Sequence, residues 1–395
     1  MSEQQPSMPV RRRHLLGAGA ALGIGAAMIT PTRASAEDIG VDEVPALDQE
    51  DGGVQVAAAD LTWYPMGEPE GRGWQTPTAT RLTDRLPAHA ESMVPATVWQ
   101  RSRMSSGLYH RFRTDADAIA VGWTLPSSLV AADYLTRGSA NGVDLYARDP
   151  EGVLRWASWG VPTAGGRTTK TISSGMVPAD GLREYRLHLP LYNTTDDVQV
   201  GVPQGARFEI MPPDPTPPIV YYGTSIIHGA GASRPGMAIP HRLNRLLDRP
   251  VIGLGFSGVA KMEAEVAALL AEIDAAVYVV DCLPNMTPEQ VAERTVPFVR
   301  RLRQDRPTTP ILLVEERTRA NSWIRAGWMD DHEARRKALR QAHRLLRASD
   351  PNLHLLPHRD MFGTDGEGTI DGSHATDLGS SRMLTVLQQA LRTIL

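Results

Sequence analysis

A single cysteine, Cys282, stands in 395 residues, so no disulfide can close within the chain. A covalently stapled scaffold is thereby excluded, and the fold must rest on buried apolar surface. Cys282 follows the apolar run Ala275 to Asp281 and is expected as a buried structural thiol. No basic stripe offsets the net charge of −4, so nothing in the charge pattern favours nucleic acid. His332, His343 and His354 lack metal-ligand spacing, and no metal is expected. The apolar run within the first 36 residues is too short to span a bilayer comfortably, and nothing in the composition suggests a membrane protein. Internal repeats and low-complexity tracts are absent as well.

What is present begins with an export-like segment over residues 1–36. Arg11-Arg12-Arg13-His14-Leu15-Leu16 precedes an apolar run from Gly17 to Ile29, and Ala34-Ser35-Ala36 forms an A-x-A cleavage pattern. Arg12-Arg13-x-Leu-Leu resembles a twin-arginine signal, the bacterial route for proteins already folded; the general secretory route is the alternative. A secreted or extracytoplasmic bacterial location is expected, and folding before export fits the lone cysteine. Cleavage after Ala36 removes four arginines and one glutamate and leaves a net charge of −7. Residues 37–60 carry eight acidic and no basic side chains and read as a disordered acidic segment.

Residues 61–210 alternate with period two between turn signals, as in Tyr109 to Trp123, Val143 to Ala147 and Tyr185 to Leu191. This pattern predicts an antiparallel β-sandwich domain. Residues 211–218, Met-Pro-Pro-Asp-Pro-Thr-Pro-Pro, predict a stiff, extended connector. Over 219–395 the period switches. Five short apolar strands, at Ile219 to Tyr222, Val251 to Leu254, Ala275 to Asp281, Pro310 to Glu315 and Leu353 to Pro357, are each followed by a helical pattern. Such β-α units predict a flavodoxin-like parallel sheet in three layers. Thr287-Pro288-Glu289-Gln290 has the form of a helix start.

Ligands of such sheets sit beyond the carboxyl ends of the strands, and the polar residues gather there. Ser225 follows the first strand, Gly255-Phe256-Ser257-Gly258 the second, Leu283-Pro284-Asn285 the third, and Asp371-Gly372-Ser373-His374 the fifth. A serine hydroxyl needs an imidazole to take its proton, and the imidazole needs a carboxylate to fix its tautomer. An oxyanion hole needs donors aimed at the developing charge. The Ser225 N–H, the Gly258 N–H and the Asn285 amide are candidates.

The ordered blocks Gly223-Thr224-Ser225, Gly258, Asn285 and Asp371-x-x-His374 resemble the SGNH (GDSL-type) hydrolase superfamily. Gly223 to Gly229 and Ala232 to Met237, with Gly142-Val143-Asp144-Leu145-Tyr146, resemble its branch with an N-terminal Gly-x-Asp-Leu-Tyr β-sandwich. The likeness spans about residues 61–395. It implies Ser225 as nucleophile, His374 as base, Asp371 as its partner, and Ser225, Gly258 and Asn285 as the oxyanion hole, with no metal or organic cofactor. It also implies an esterase acting on small acyl esters, some of them on carbohydrate. Relatives that pass the acyl group to another alcohol make an acyltransferase the alternative, and an inert glycan-binding protein is a further one. Thr224, Val259 and Ala375 depart from the family pattern.

Gly253-Leu254-Gly255-Phe256-Ser257-Gly258, with Asp281 downstream, matches a dinucleotide-binding fingerprint by count. It lies on the second strand, however, and leaves Ser225 and His374 without a role. His228 is expected to line the pocket, with an auxiliary base as the alternative. Asp330-Asp331-His332 reads as a helix start, and Trp323 and Trp328 as either loop packing or a sugar platform. Trp99, Trp123, Trp156 and Trp159 are expected in the sandwich core. Asn193-Thr194-Thr195 matches a glycosylation acceptor, idle in a bacterial host.

Overall fold

The structure is a computed structural model that describes residues 57–75, 81–177, 180–359 and 361–395. The export-like segment and most of the acidic segment lie outside the described residues. The end of the acidic segment departs from the expected disorder: Ala58–Asp60 form a 3₁₀ turn, and the Asp60 carbonyl accepts from Gln204 N.

Among the described residues, β1 (Leu61–Pro65), β2 (Tyr109–Thr114), β3 (Ile119–Leu125), β4 (Val143–Arg148), β5 (Leu154–Gly160), β6 (Gly166–Ser173), β7 (Arg183–His188), β8 (Asp196–Pro203) and β9 (Phe208–Ile210) make two antiparallel sheets. Their orders are β1-β8-β3-β6 and β5-β4-β7-β2-β9. Phe112, Val121, Trp123, Leu145, Leu187 and Val200 meet between them, the alternation of inward residues that a sandwich requires.

The five strands expected after the proline-rich connector all form: β10 (Ile219–Gly223), β11 (Val251–Gly255), β12 (Val277–Asp281), β13 (Ile311–Val314) and β14 (Leu353–Leu356). They pair in parallel in the order β11-β10-β12-β13-β14. The helices, in chain order, are α1 (Ala96–Ser102), α2 (Arg137–Asn141), α3 (Ser225–His228), α4 (Ile239–Leu247), α5 (Ala264–Ala271), α6 (Pro288–Asp305), α7 (Trp328–Arg347) and α8 (Asp377–Ile394). Tyr222, Leu254 and Val280 point to the face covered by α5, α6 and α7. Tyr221, Val251 and Val279 point to the face covered by α4 and α8. Both faces are dry, which is why these strands read as continuous apolar runs rather than alternating ones.

Packing does not follow the order of the chain. Trp74, Leu86, Val98 and Trp99 precede most of the sandwich strands, yet they are buried among Ile252, Leu254 and Phe256 of the α/β core. Trp99 therefore belongs to a core other than the expected one. This segment covers β11, the edge of the parallel sheet, whose outward carbonyls would otherwise be bare. Arg85 Nη1 donates to Gly253 O (3.1 Å) and Gly255 O (2.9 Å), while its Nε and Nη2 reach Met104 O and Arg101 O. Burial pushes this guanidinium down to about 9, with Tyr192 opposing.

Trp156 also departs from expectation, being half exposed. The connector is held at both ends: Arg111 donates to Pro212 O and Arg249 to Pro217 O, each at 2.8 Å.

Candidate active site

At the carboxyl end of β10 the chain turns sharply at Thr224 into the single-turn helix α3, placing Ser225 first in that helix. Gly223 permits the turn, since a Cβ there would meet Ile227 Cγ1 at 2.6 Å. As the first helical residue, Ser225 has an N–H with no acceptor inside the helix. Its Oγ lies 2.8 Å from His374 Nε2.

The turn that presents His374 is built by Asp371. Asp371 Oδ1 accepts from the N–H groups of Ser373 (2.9 Å) and His374 (2.8 Å), and Oδ2 lies 2.6 Å from His374 Nδ1. One carboxylate oxygen shapes the loop and the other orients the ring. A carboxylate only accepts, so Nδ1 carries the proton and Nε2 is free to accept from Ser225 Oγ–H. Burial pushes Asp371 upward, but the two backbone donors and the imidazole outweigh it and hold the carboxyl below its usual value.

Two further donors gather at the same edge. Gly258 has φ +77° with open space where a Cβ would be, so its backbone conformation is what calls for glycine. Asn285 ends a short 3₁₀ turn after β12, and its Nδ2 is buried without a hydrogen-bond partner among the described residues. It does not cap α6; Thr287 does, in a reciprocal pair with Gln290. A buried amide left free of structural duty is a donor aimed at something else.

The N-terminal half of the chain reaches this site through residues that no sequence motif marks. The ring of Tyr134, from the irregular segment between β3 and α2, stacks on His374 with centroids 4.5 Å apart. Its carbonyl accepts from Gly231 N at 3.1 Å. Arg101 donates to Ser257 O at 3.3 Å, beside Gly258. No pattern in the sequence marks Tyr134, because its loop has neither periodicity nor a motif.

His228 neither lines the pocket nor serves as a base. It is fully buried and stacked on Tyr192. Its Nε2 lies 2.8 Å from Leu191 O, and Ser257 N donates to its Nδ1 at 3.4 Å. Burial, with Arg85 nearby, holds it neutral. The motif Gly142 to Tyr146 and the run Ala232 to Met237 prove to be partners. Asp144 Oδ2 accepts from Arg234 Nη1 (2.7 Å) and Gly236 N (2.8 Å), and its Oδ1 from Trp156 Nε1 (2.9 Å). Arg234 also donates to Tyr146 Oη.

The glycines of the dinucleotide-like pattern have local reasons. A Cβ on Gly255 would meet His228 N at 2.1 Å. Asp281 is fully buried and accepts from Arg317 Nη1 (2.6 Å) and Tyr221 Oη (3.1 Å). Cys282 is buried, and burial together with Glu263 pushes its thiol well up. Asp330 and Asp331 occupy the first turn of α7, as expected, and His332 is bound to Glu316 and Ser322. Among the described residues no group of three His, Cys, Asp or Glu side chains is arranged to hold a metal ion.

Residues 216–392 match the model of the GDSL-like lipase/acylhydrolase family, and residues 61–208 match that of the GxDLY N-terminal region of SGNH-hydrolase-type esterases. A solved GDSL-like lipase from Bacteroides ovatus is 34% identical, with 85% of this chain and 98% of that one covered at a TM-score of 0.80. The chain therefore belongs to the GDSL-like lipase/acylhydrolase family. The salicylyl-acyltransferase SsfX3 from a tetracycline biosynthetic pathway shares its fold at 19% identity and a TM-score of 0.65, covering 87% of this chain and 97% of that one. A family two carbohydrate esterase from Clostridium thermocellum, solved with cellohexaose, does so at 12% identity and a TM-score of 0.51, covering 72% and 91%. No curated protein matches the sequence significantly.

Proposed function

We propose that this chain is an exported serine esterase that hydrolyses small acyl esters, including esters on carbohydrate, through an acyl-enzyme on Ser225. The observation that carries the reading is the unbroken line from Ser225 Oγ through His374 to Asp371, with spacings of 2.8 and 2.6 Å. Ser225 Oγ attacks the ester carbonyl while His374 Nε2 takes its proton, and Asp371 stabilises the resulting imidazolium. The tetrahedral oxyanion is held by the N–H groups of Ser225 and Gly258 and by Asn285 Nδ2. Collapse expels the alcohol, which receives the proton from His374. Water then attacks the acyl-enzyme and gives its proton to His374, which returns it to Ser225 Oγ as the acid leaves.

An acyltransferase differs only in the second half, where another alcohol takes the place of water; the fold shared with a salicylyl-acyltransferase keeps that reading in view. Hydrolysis of p-nitrophenyl acetate with and without added alcohols tests both. Export rests on Arg12-Arg13 and the apolar run that follows. Arg12→Lys with Arg13→Lys is expected to leave precursor in the cytoplasm, and normal export of that variant would favour the general secretory route.

A further inference from the structure

A recess of about 470 Å³ lies between the segment after β13 and the segment after β14, lined by Arg317, Arg319, Trp323, Arg359, Met361 and Phe362 among others. The second of these segments lines the recess as far as Gly368 and then supplies Asp371 and His374. The first is tied to the same turn, since Ala320 N donates to Gly372 O at 2.9 Å. One wall of the recess and the turn that carries the base are thus a continuous piece of chain.

The lining has a definite chemistry. Trp323 is 81% exposed, an unusual position for the largest apolar side chain in the absence of something to cover it. Met361 and Phe362 supply a buried apolar floor. Around them stand three arginines, Arg317, Arg319 and Arg359. The Arg317 side chain is 1% exposed and pairs with Asp281 through Nη1, yet its Nε and Nη2 have no hydrogen-bond partner among the described residues. Arg359 is exposed at the rim, and Arg319 lies over Trp328. Among the described residues nearby, Glu315 is engaged by Arg340 and His358, Glu316 by His332 and Arg335, and Asp365 by Arg382, while Glu367 is exposed.

We propose that this recess is the alcohol-side subsite, and that it takes a ring bearing a carboxylate, specifically the ring of an acidic sugar such as a uronic acid. The proposal rests on the esterase reading. His374 returns its proton to the departing alcohol, so the alcohol portion of the ester lies on the side of the His374 turn, to which the recess wall is joined through Ala320 and Gly372. The C–H face of a pyranose stacks on the exposed indole, and guanidinium forks match a planar carboxylate.

Calorimetric titration with methyl glucuronide, methyl glucoside and benzoate tests this without turnover. The expected result is that methyl glucuronide binds at least about tenfold more tightly than methyl glucoside. Trp323→Ala and Arg359→Ala are each expected to weaken it by about tenfold while keeping the wild-type melting temperature, both side chains being exposed. Equal affinity for the two sugars, unchanged affinity in both variants, or benzoate binding more tightly than the sugar acid would overturn the proposal. Hydrolysis of p-nitrophenyl acetate by the wild type is measured alongside. Its absence would count against the esterase reading and with it the alcohol-side assignment, whereas the affinity of the recess for a sugar acid is decided by the titration alone.

Discussion

Tyr134 and His374 lie face to face, their rings 4.5 Å apart and inclined by 27°. They are 240 positions apart in the chain, one in a loop of the N-terminal half and the other in the last turn before α8. The imidazole is thus held on its edge by Asp371 and on its face by Tyr134. A ring fixed on two sides keeps Nε2 aimed at Ser225, and small misplacements of a catalytic group are costly. Tyr134→Ala is expected to lower kcat by about ten- to a hundredfold with little change in melting temperature, whereas Tyr134→Phe keeps the stack and the rate. Equal losses in both variants would mean the hydroxyl, not the ring face, matters.

Asn285 is the second test. Its Nδ2 has no structural partner, and the cap of α6 is Thr287, so removing the amide has no helix end to unravel. An interaction made mainly in the transition state lowers kcat and spares KM. Asn285→Ala is expected to lose about 10²–10³ in kcat with unchanged KM and melting temperature. A lowered melting point at full kcat would retire the oxyanion role.

Much of this arrangement was legible in the sequence, for identifiable reasons. The strands of the parallel sheet are buried on both faces, so Ile219 to Tyr222 and Val251 to Leu254 stand out as apolar runs, and the polar residues after them mark the sheet's functional edge. Asp371 and His374 are readable because one tight turn holds both. Tyr134, Arg85 and Arg101 are not, since they act through contacts between segments remote in sequence and come from irregular structure or its borders. The same holds for His228, whose burial depends on Tyr192 and Leu191. Trp156 and Trp99 were misplaced because an indole in a strand or helix pattern does not say which core receives it.

Four buried histidines make stability sensitive to mild acid. Burial pushes His110 down to about 3, and His188, His228 and His241 well below their usual value. His188 and His241 also face each other at 4.1 Å beside Arg245, so charging either is opposed. Their folded values lie below the unfolded value of about 6.5. Above that pH neither state is protonated and there is no penalty. As pH falls below it, the unfolded chain binds protons that the native state refuses, and each histidine removes up to about 1.4 kcal/mol per pH unit. The urea midpoint is expected to fall steeply from about pH 6.5 to 5, with a shallower fall in His110→Gln. A flat midpoint over that window would contradict the assignment.

Arg85 joins the edge of the parallel sheet to the segment that covers it. Arg85→Ala strips the Gly253 and Gly255 carbonyls of their donor, and each buried group so orphaned costs about 1–3 kcal/mol. The variant is expected to lose about 3 kcal/mol or more of stability, read as a lowered urea midpoint. Arg85→Lys, with a point charge in place of a fork, recovers only part of it.

Activation of Ser225 by His374 is measured by stoichiometric labelling with a fluorophosphonate probe. Only an activated serine reacts, so the wild type is expected to take up one label per chain, on Ser225. Ser225→Ala is expected to take up none, and His374→Ala to label far more slowly, while both remain folded. Full labelling of Ser225→Ala, or no labelling of the folded wild type, would mean that Ser225 is not an activated nucleophile.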